Sequence, residues 1–276
     1  MRLFLKTKDF SVSGESFELR QDEEFDMLIT HPQPENLAKY YDSEVYISHT
    51  DAKTSLVDRL YHWVKGYSLK KKIQIIDNQI DESKSLLDIG AGTGDFLKSA
   101  ISKGFKVAGI EPNQKARTNA ELKGITLHQD LADVKNHKFQ VITMWHVLEH
   151  LPNLQEQIKQ IAQLLESNGT LFVAVPNFKS FDAKYYGTHW AAYDVPRHLW
   201  HFSRQSIQML FEKEKMEVVS IKPMLFDAFY VSLLSEKYKG NPFYLISAFF
   251  VGLWSNIRAF FSKEHSSLIY IIKKKD

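Results

Sequence analysis

The sequence predicts an α/β protein built on a doubly wound, mostly parallel sheet. Three observations predict it. Residues 67–222 alternate short apolar runs with helical stretches, the pattern of successive βαβ units. One run passes through a glycine-rich turn into a helix, at Leu86–Leu97 (LLDIGAGTGDFL). Acidic residues close that strand and the next two, at Asp88, Glu111 and Asp130.

Each element has a local reason. The strand candidates are the apolar runs Ser85–Ile89, Lys106–Ile110, Ile125–His128, Phe139–Met144, Thr170–Val175 and Glu217–Lys222. The helices between them are Asp95–Ser102, Gln114–Lys123, Leu154–Leu165 and Arg204–Lys213. Leu154–Leu165 has apolar residues at 154, 158, 161, 164 and 165, a helical period, and Asn168-Gly169 is expected to end it. Ahead of the sheet, residues 1–66 form an N-terminal module, in which Asp9–Thr30 alternates loosely and predicts short strands. Residues 67–276 form the main domain, with a helical insertion at 223–265. Ser267–Lys273 reads as a last strand, expected on the open edge of the same sheet.

Composition narrows the function. The chain has 276 residues, 44% hydrophobic and 25% charged, which excludes disordered, collagen-like and coiled-coil chains. It has no cysteine, so disulfide scaffolds, Cys-ligated zinc, Fe–S clusters and thiol catalysis are excluded. A formal net charge of +2 does not favour nucleic acid as a partner. The first residues do not read as a signal peptide, so the default compartment is cytoplasmic. Phe243–Trp254 (FYLISAFFVGLW) has ten apolar residues in twelve. It is shorter than the ~20 residues that span a bilayer and reads as a buried or cap-forming helix. Peripheral membrane contact through 243–254, or cover for an apolar substrate, is the alternative.

The turn at Gly90, Gly92 and Gly94 lets backbone and the free N–H groups of a helix start approach a ligand. Its spacing is G-x-G-x-G, followed by Asp95, whereas dinucleotide sites carry G-x-G-x-x-G. A carboxylate there opposes a pyrophosphate and suits a cationic or hydroxyl-rich ligand. Glu111 lies 21 residues after Gly90, where an acid can accept two ribose hydroxyls. Asp130 can accept from an exocyclic adenine amine. All three acids sit at strand C-termini, the ligand crevice of open α/β sheets.

On these residues the chain resembles the class I S-adenosylmethionine-dependent methyltransferases, in the ubiquinone-type O-methyltransferase-like subgroup (the "type 23" kind of methyltransferase domain). LLDIGAGTGDFL, VAGIEPN, QDL, FQVITMWHVLEHLPN and LLESNGTLFVAVPN carry the resemblance, over roughly residues 80–222. It implies a seven-stranded Rossmann-like sheet with six parallel strands and an antiparallel last one. It implies S-adenosylmethionine as methyl donor, with S-adenosylhomocysteine as product. By the resemblance, Asp88, Gly90, Ala91, Gly92, Thr93, Gly94 and Phe96 surround the methionine part. Glu111 holds the ribose, Asp130 reaches the adenine, Pro112 and Leu131 join them in cofactor binding, and Trp145 and His146 border the sulfonium and the adenine. Phe181–Ser203 also resembles a subgroup with a W…D-x-P-R-H-L-x-x-F-S pattern, in which cysteines of a preceding module bind zinc. Here that module is zinc-ribbon-like without cysteines.

The reading is a methyltransferase acting on a small-molecule acceptor, through a hydroxyl of a phenolic, quinone-like, lipid-linked or glycan-type compound. Methyl transfer from a sulfonium needs alignment and water exclusion, and a hydroxyl acceptor also gains from a general base. His150 and His198 are the candidate catalytic bases. Phe178–Phe202 holds eight aromatics and three histidines in 25 residues, a composition suited to a pocket wall. Tyr41, His189, Trp190, Arg197 and His201 are the candidate substrate contacts. Tyr40–Tyr46 reads as a lid, and Lys70-Lys71-Lys72 as a solvated helix face. His146–His150 matches H-x-x-E-H, but it follows a strand, so no zinc-protease site is expected. No metal is assigned, with a divalent ion beside Glu149-His150, a pair recurrent in the ubiquinone-type enzymes, as the lesser alternative. The alternatives are an NAD-dependent oxidoreductase, disfavoured by the turn spacing, and a non-catalytic binding module on the same fold.

Overall fold

Two sheets organise the chain. The structure, a computed structural model, describes residues 1–41, 56–80 and 84–275. The strands are β1 (Arg2–Lys8), β2 (Ser16–Asp22), β3 (Met27–His31), β4 (Ser85–Ile89), β5 (Lys106–Ile110), β6 (Phe139–Trp145), β7 (Leu165–Pro176), β8 (Trp200–His201), β9 (Met216–Pro223) and β10 (Ser267–Lys274). The helices are α1 (Leu56–Asp77), α2 (Asp95–Ile101), α3 (Gln114–Glu121), α4 (Leu154–Leu164), α5 (Phe181–Tyr186), α6 (Arg204–Glu212), α7 (Asp227–Tyr238) and α8 (Tyr244–Ser262).

The main sheet has six strands in the order β5-β4-β6-β7-β10-β9. The pairs β4–β5, β4–β6 and β6–β7 are parallel, while β10 runs antiparallel to both β7 and β9. Two expectations change here. Ile125–His128 contributes one parallel bridge, Ile110↔His128, rather than a full strand. It is confined between Gly124, at φ 78°, and the capped turn at Leu131–Val134. The last strand does not take an open edge. It lies between β7 and β9, because Ser267–Ile272 is buried at every position and a central slot covers both faces.

β6 (FQVITMW) is buried almost throughout, as a central parallel strand must be. Helix α4 ends at Leu164 and β7 starts at once. Asn168-Gly169 therefore lies inside β7, where its register against β6 shifts, and does not form the expected helix stop.

The second sheet is antiparallel, in the order β1-β2-β3-β8. The N-terminal segment thus holds one more strand, β1, than its alternation indicated. The sheet borrows β8 from the aromatic, histidine-rich segment: Leu28 pairs with His201 and Ile29 with Trp200. The chain ahead of the main sheet is therefore stitched to the loop that carries His198.

Helices α7 and α8 form the insertion. The apolar stretch lengthens into a 19-residue helix, α8. Only Ala248, Gly252, Ser255 and Ala259 of it are buried, so the expectation of a buried helix is not met. Phe250, Trp254, Phe260 and Phe261 face outward.

Candidate active site at the carboxyl edge of the main sheet

β4 delivers its chain into a turn with glycine at each of its positive-φ positions. Gly90, Gly92 and Gly94 have φ of 74°, 53° and 75°. A Cβ on Gly90 would lie 2.4 Å from Cγ2 of Val147, whereas one on Gly92 meets nothing within 4 Å. The amides of Gly90 and Ala91 donate to the Ile110 carbonyl at 2.8 and 2.9 Å, which pins the turn to β5. Glu111 completes the brace. Its carboxylate accepts from the Gly92 amide and the Asn113 amide, each at 2.9 Å.

Asp88 is buried beneath this turn and accepts from Thr143 Oγ1 of β6 at 2.6 Å. Burial pushes its carboxyl up to about 7, against the Thr143 hydrogen bond and the nearby Lys72 charge. Lys72 is a correction. Lys70 and Lys71 are exposed, as a solvated helix face should be, but Lys72 is half-buried. Its ammonium lies 4.2 Å from the centre of the Trp145 ring, and burial lowers its pKa to about 8. Asp95 does not leave a free negative charge at the turn: Lys65 and Lys123 pair with it at 2.7 and 2.6 Å.

The other cofactor candidates divide by environment. Ala91 and Phe96 are buried, Phe96 edge-on to Trp145 at 5.5 Å. Pro112 is exposed. Thr93 Oγ1 donates to Asp95 and accepts from Lys123. Asp130 is exposed and caps the turn Leu131–Val134, accepting from the Ala132 amide at 2.9 Å. Trp145 keeps a buried indole N–H with no acceptor among the described residues.

His146 follows β6 in a left-handed conformation, φ 59°. Its ring nitrogens face Glu149 at 3.4 Å and Asp227 of α7 at 3.1 Å. Burial alone would lower its pKa, but the two carboxylates outweigh this and raise it to about 9. A histidine charged more readily when folded stabilises fully below its ordinary pKa of about 6.5, and loses that stabilisation as pH rises to about 9. After screening at a side chain 33% exposed, the contribution is about 1–2 kcal/mol. In His146→Asn, which keeps a residue tolerant of positive φ, chemical denaturation between pH 6.5 and 9 should lose this slope. Parallel slopes for the two proteins would contradict the pairing.

His150 is half-buried. Its Nδ1 lies 3.0 Å from the Arg197 carbonyl and 2.9 Å from the Tyr41 hydroxyl. The carbonyl can only accept, so Nδ1 carries the proton and Nε2 keeps its lone pair. Burial and the neighbouring His198 lower the His150 pKa to about 4. The buried His198 ring stands edge-on at 4.5 Å, its Nδ1 on the Ala192 carbonyl at 2.9 Å. Glu149 is 1% exposed; its Oε1 faces His146 Nδ1 at 3.4 Å, and among the described residues neither oxygen accepts a well-formed hydrogen bond. One donor atom from each of Glu149, His150 and His198 falls within 4.8 Å of the others, a spacing that can hold a cation.

The side chains of the remaining candidates are committed to other partners. Arg197 is buried in a structural ion network: it pairs with Asp9 at 3.0 Å and Asp194 at 2.6 Å, so its guanidinium is not open to a substrate anion. Trp190 is buried and donates to Asp182 at 2.8 Å. His201 bonds Thr30 at 3.0 Å within the second sheet. His189 packs on Phe10. The aromatic density of 178–202 is thus mostly core packing between the sheets, not an open wall. Of the lid, Tyr41 reaches His150, and residues 42–46 lie outside the described residues.

Sequence reasoning missed Lys72, Thr143 and Asp227. Thr143 had a signal, a polar residue inside an apolar strand. Asp227 had none, since it arrives from the insertion 81 positions after His146.

A family profile described as a methyltransferase domain matches residues 61–221. The ubiquinone biosynthesis O-methyltransferase of Coxiella burnetii is 30% identical over 123 residues, 40% of this chain and 52% of that protein. That of Azoarcus sp. is 24% identical over 160 residues, 52% of this chain and 69% of that protein. The chain thus spans about half the length of the first of these curated relatives. The fold is similar to the magnesium protoporphyrin IX methyltransferase of Synechocystis PCC 6803 with bound SAH, with a TM-score of 0.57 at 14% identity. That match covers 86% of this chain and 97% of the other. A SAM-dependent methyltransferase from Archaeoglobus fulgidus has a TM-score of 0.52 at 16% identity, over 75% of this chain and 94% of that one.

Proposed function

Because this chain belongs to the methyltransferase-domain family, of the class I S-adenosylmethionine-dependent kind, we propose that it methylates a hydroxyl of a small phenolic, quinone-like or lipid-linked acceptor. The observation that carries the reading is the brace at Glu111: one carboxylate fixes the glycine-rich turn and keeps lone pairs for a ribose. The residues present fit the donor. Gly92 leaves open space, and the Trp145 indole N–H lacks an acceptor among the described residues. Asp88 answers an ammonium and Lys72 a carboxylate, the two charges of an amino-acid end.

When bound, S-adenosylmethionine supplies an electrophilic methyl group on a sulfonium. The protein's own part is alignment, exclusion of water and one proton. His150 Nε2 takes the acceptor's hydroxyl proton as the oxygen attacks, and Glu149 and the Arg197 carbonyl stabilise the charged ring. His198 is the less exposed of the two histidines, and its place is beside the base.

Isothermal titration of the full chain should show S-adenosylmethionine binding. Glu111→Ala should weaken it about 100-fold, since each hydrogen bond to a charged group contributes about 1.5–3 kcal/mol. Unchanged affinity in the variant, or no binding by the folded wild type, would remove the proposal.

A further inference from the structure

The outward side of α8 is apolar over about half its circumference, because Leu245 and Trp254, nine positions apart, lie on roughly opposite sides of the helix. Ile246, Phe250, Leu253 and Phe260 fill the arc between them, all exposed. A helix that pairs with one other helix needs a stripe of about 100°. A second copy seated on α8 would leave much of this arc in water. A continuous apolar medium would cover all of it.

The helix is also long and apolar enough to cross a membrane, at 19 residues. Its inner side shows that it lies flat instead. Gly252 sits so close to Phe229 that a Cβ would approach that ring to 2.8 Å. Ser255 donates to the buried Asp182 at 2.7 Å. α8 is therefore moored to α7 and α5 along its length, and cannot enter a bilayer end-on without tearing these contacts.

Charge selects the kind of surface. α8 contains no acidic residue and carries Arg258. Lys237 and Lys239 stand before its start, and Lys263 caps its end. The acids nearby face inward: Glu236 is buried and Glu264 accepts from Asn177. Leu225, whose carbonyl accepts from Asn256 of α8, and Tyr230 are exposed as well, on the segment that carries Asp227, the partner of His146.

We propose that α8 docks this protein on an anionic lipid bilayer, lying in the plane of the interface with its lysines and Arg258 among the headgroups. The docking stands apart from methyl transfer. Flotation of the full chain with vesicles of equal phosphatidylcholine and phosphatidylglycerol tests it. Wild type should float with them, and at least ten-fold less with phosphatidylcholine alone. The triple variant Ile246→Asn, Phe250→Ser, Phe260→Ser should lose flotation at least ten-fold while melting at the same temperature and binding S-adenosylmethionine equally. Three results would overturn the docking: wild type stays with the protein-only fraction; the triple variant floats like wild type; or wild type is a dimer that the variant makes monomeric while neither floats. Loss of S-adenosylmethionine binding with flotation intact would remove only the transferase reading.

Discussion

Gly90→Ala is expected to abolish detectable S-adenosylmethionine binding while leaving the sheet folded. A side chain at φ 74° costs about 1–2 kcal/mol in a left-handed conformation. The larger effect is steric. The new Cβ would lie 2.4 Å from Val147 Cγ2, so the turn must leave the Ile110 carbonyl or the loop after β6 must shift. Either displaces the amide that Glu111 grips. The cause is separable, because Val147→Ala removes the opposing γ carbons. The double variant should recover binding to within roughly ten-fold of Val147→Ala alone, the residual being the backbone strain. Titration calorimetry beside thermal melts reads both. A double variant as inactive as Gly90→Ala, at equal stability, would show that contact with Val147 is not what fixes the turn.

His150→Gln should lower kcat by 10²–10⁴-fold with S-adenosylmethionine affinity unchanged within about two-fold. The pH profile distinguishes a base from a merely structural histidine. Because the ring titrates near 4, kcat at saturating donor should stay flat from pH 8 down to about 5 and fall only below it. An acid limb near 6.5 would assign the proton to another group. Chelation adds a second axis. A base acting alone predicts full activity after dialysis against EDTA. Lost activity restored by a divalent ion would instead assign Glu149, His150 and His198 a cation.

Legibility differed by element. Strands such as β6 and β10 declare themselves by unbroken apolar runs, and the Gly90–Gly94 turn by residues that no other local structure needs. The partner of a strand is a different kind of information. Nothing in Ser267–Lys274 says whether it takes an edge or the slot between β7 and β9, because its burial on both faces depends on helices elsewhere. The site shows the same division. Asp88, Glu111 and His150 could be picked out as candidates because they lie at or just beyond the carboxyl ends of strands. Arg197, Trp190 and His201 looked functional from type and density alone, and the structure gives each a packing or pairing partner that is distant in sequence. Lys72 was unreadable beside Lys70 and Lys71, since only its position on α1 turns it inward.

The tie between Asp9 and Arg197 spans 188 positions. A chain made from its amino terminus exposes that carboxylate long before the guanidinium emerges, and a contact of such separation closes late. The loop that carries Arg197 and His198 is thus tied to the amino-terminal sheet across most of the chain's length. The first ten residues act less as an appendage than as a clasp on that loop, and trimming them would remove one of the two carboxylates that pair with the buried Arg197, leaving it Asp194.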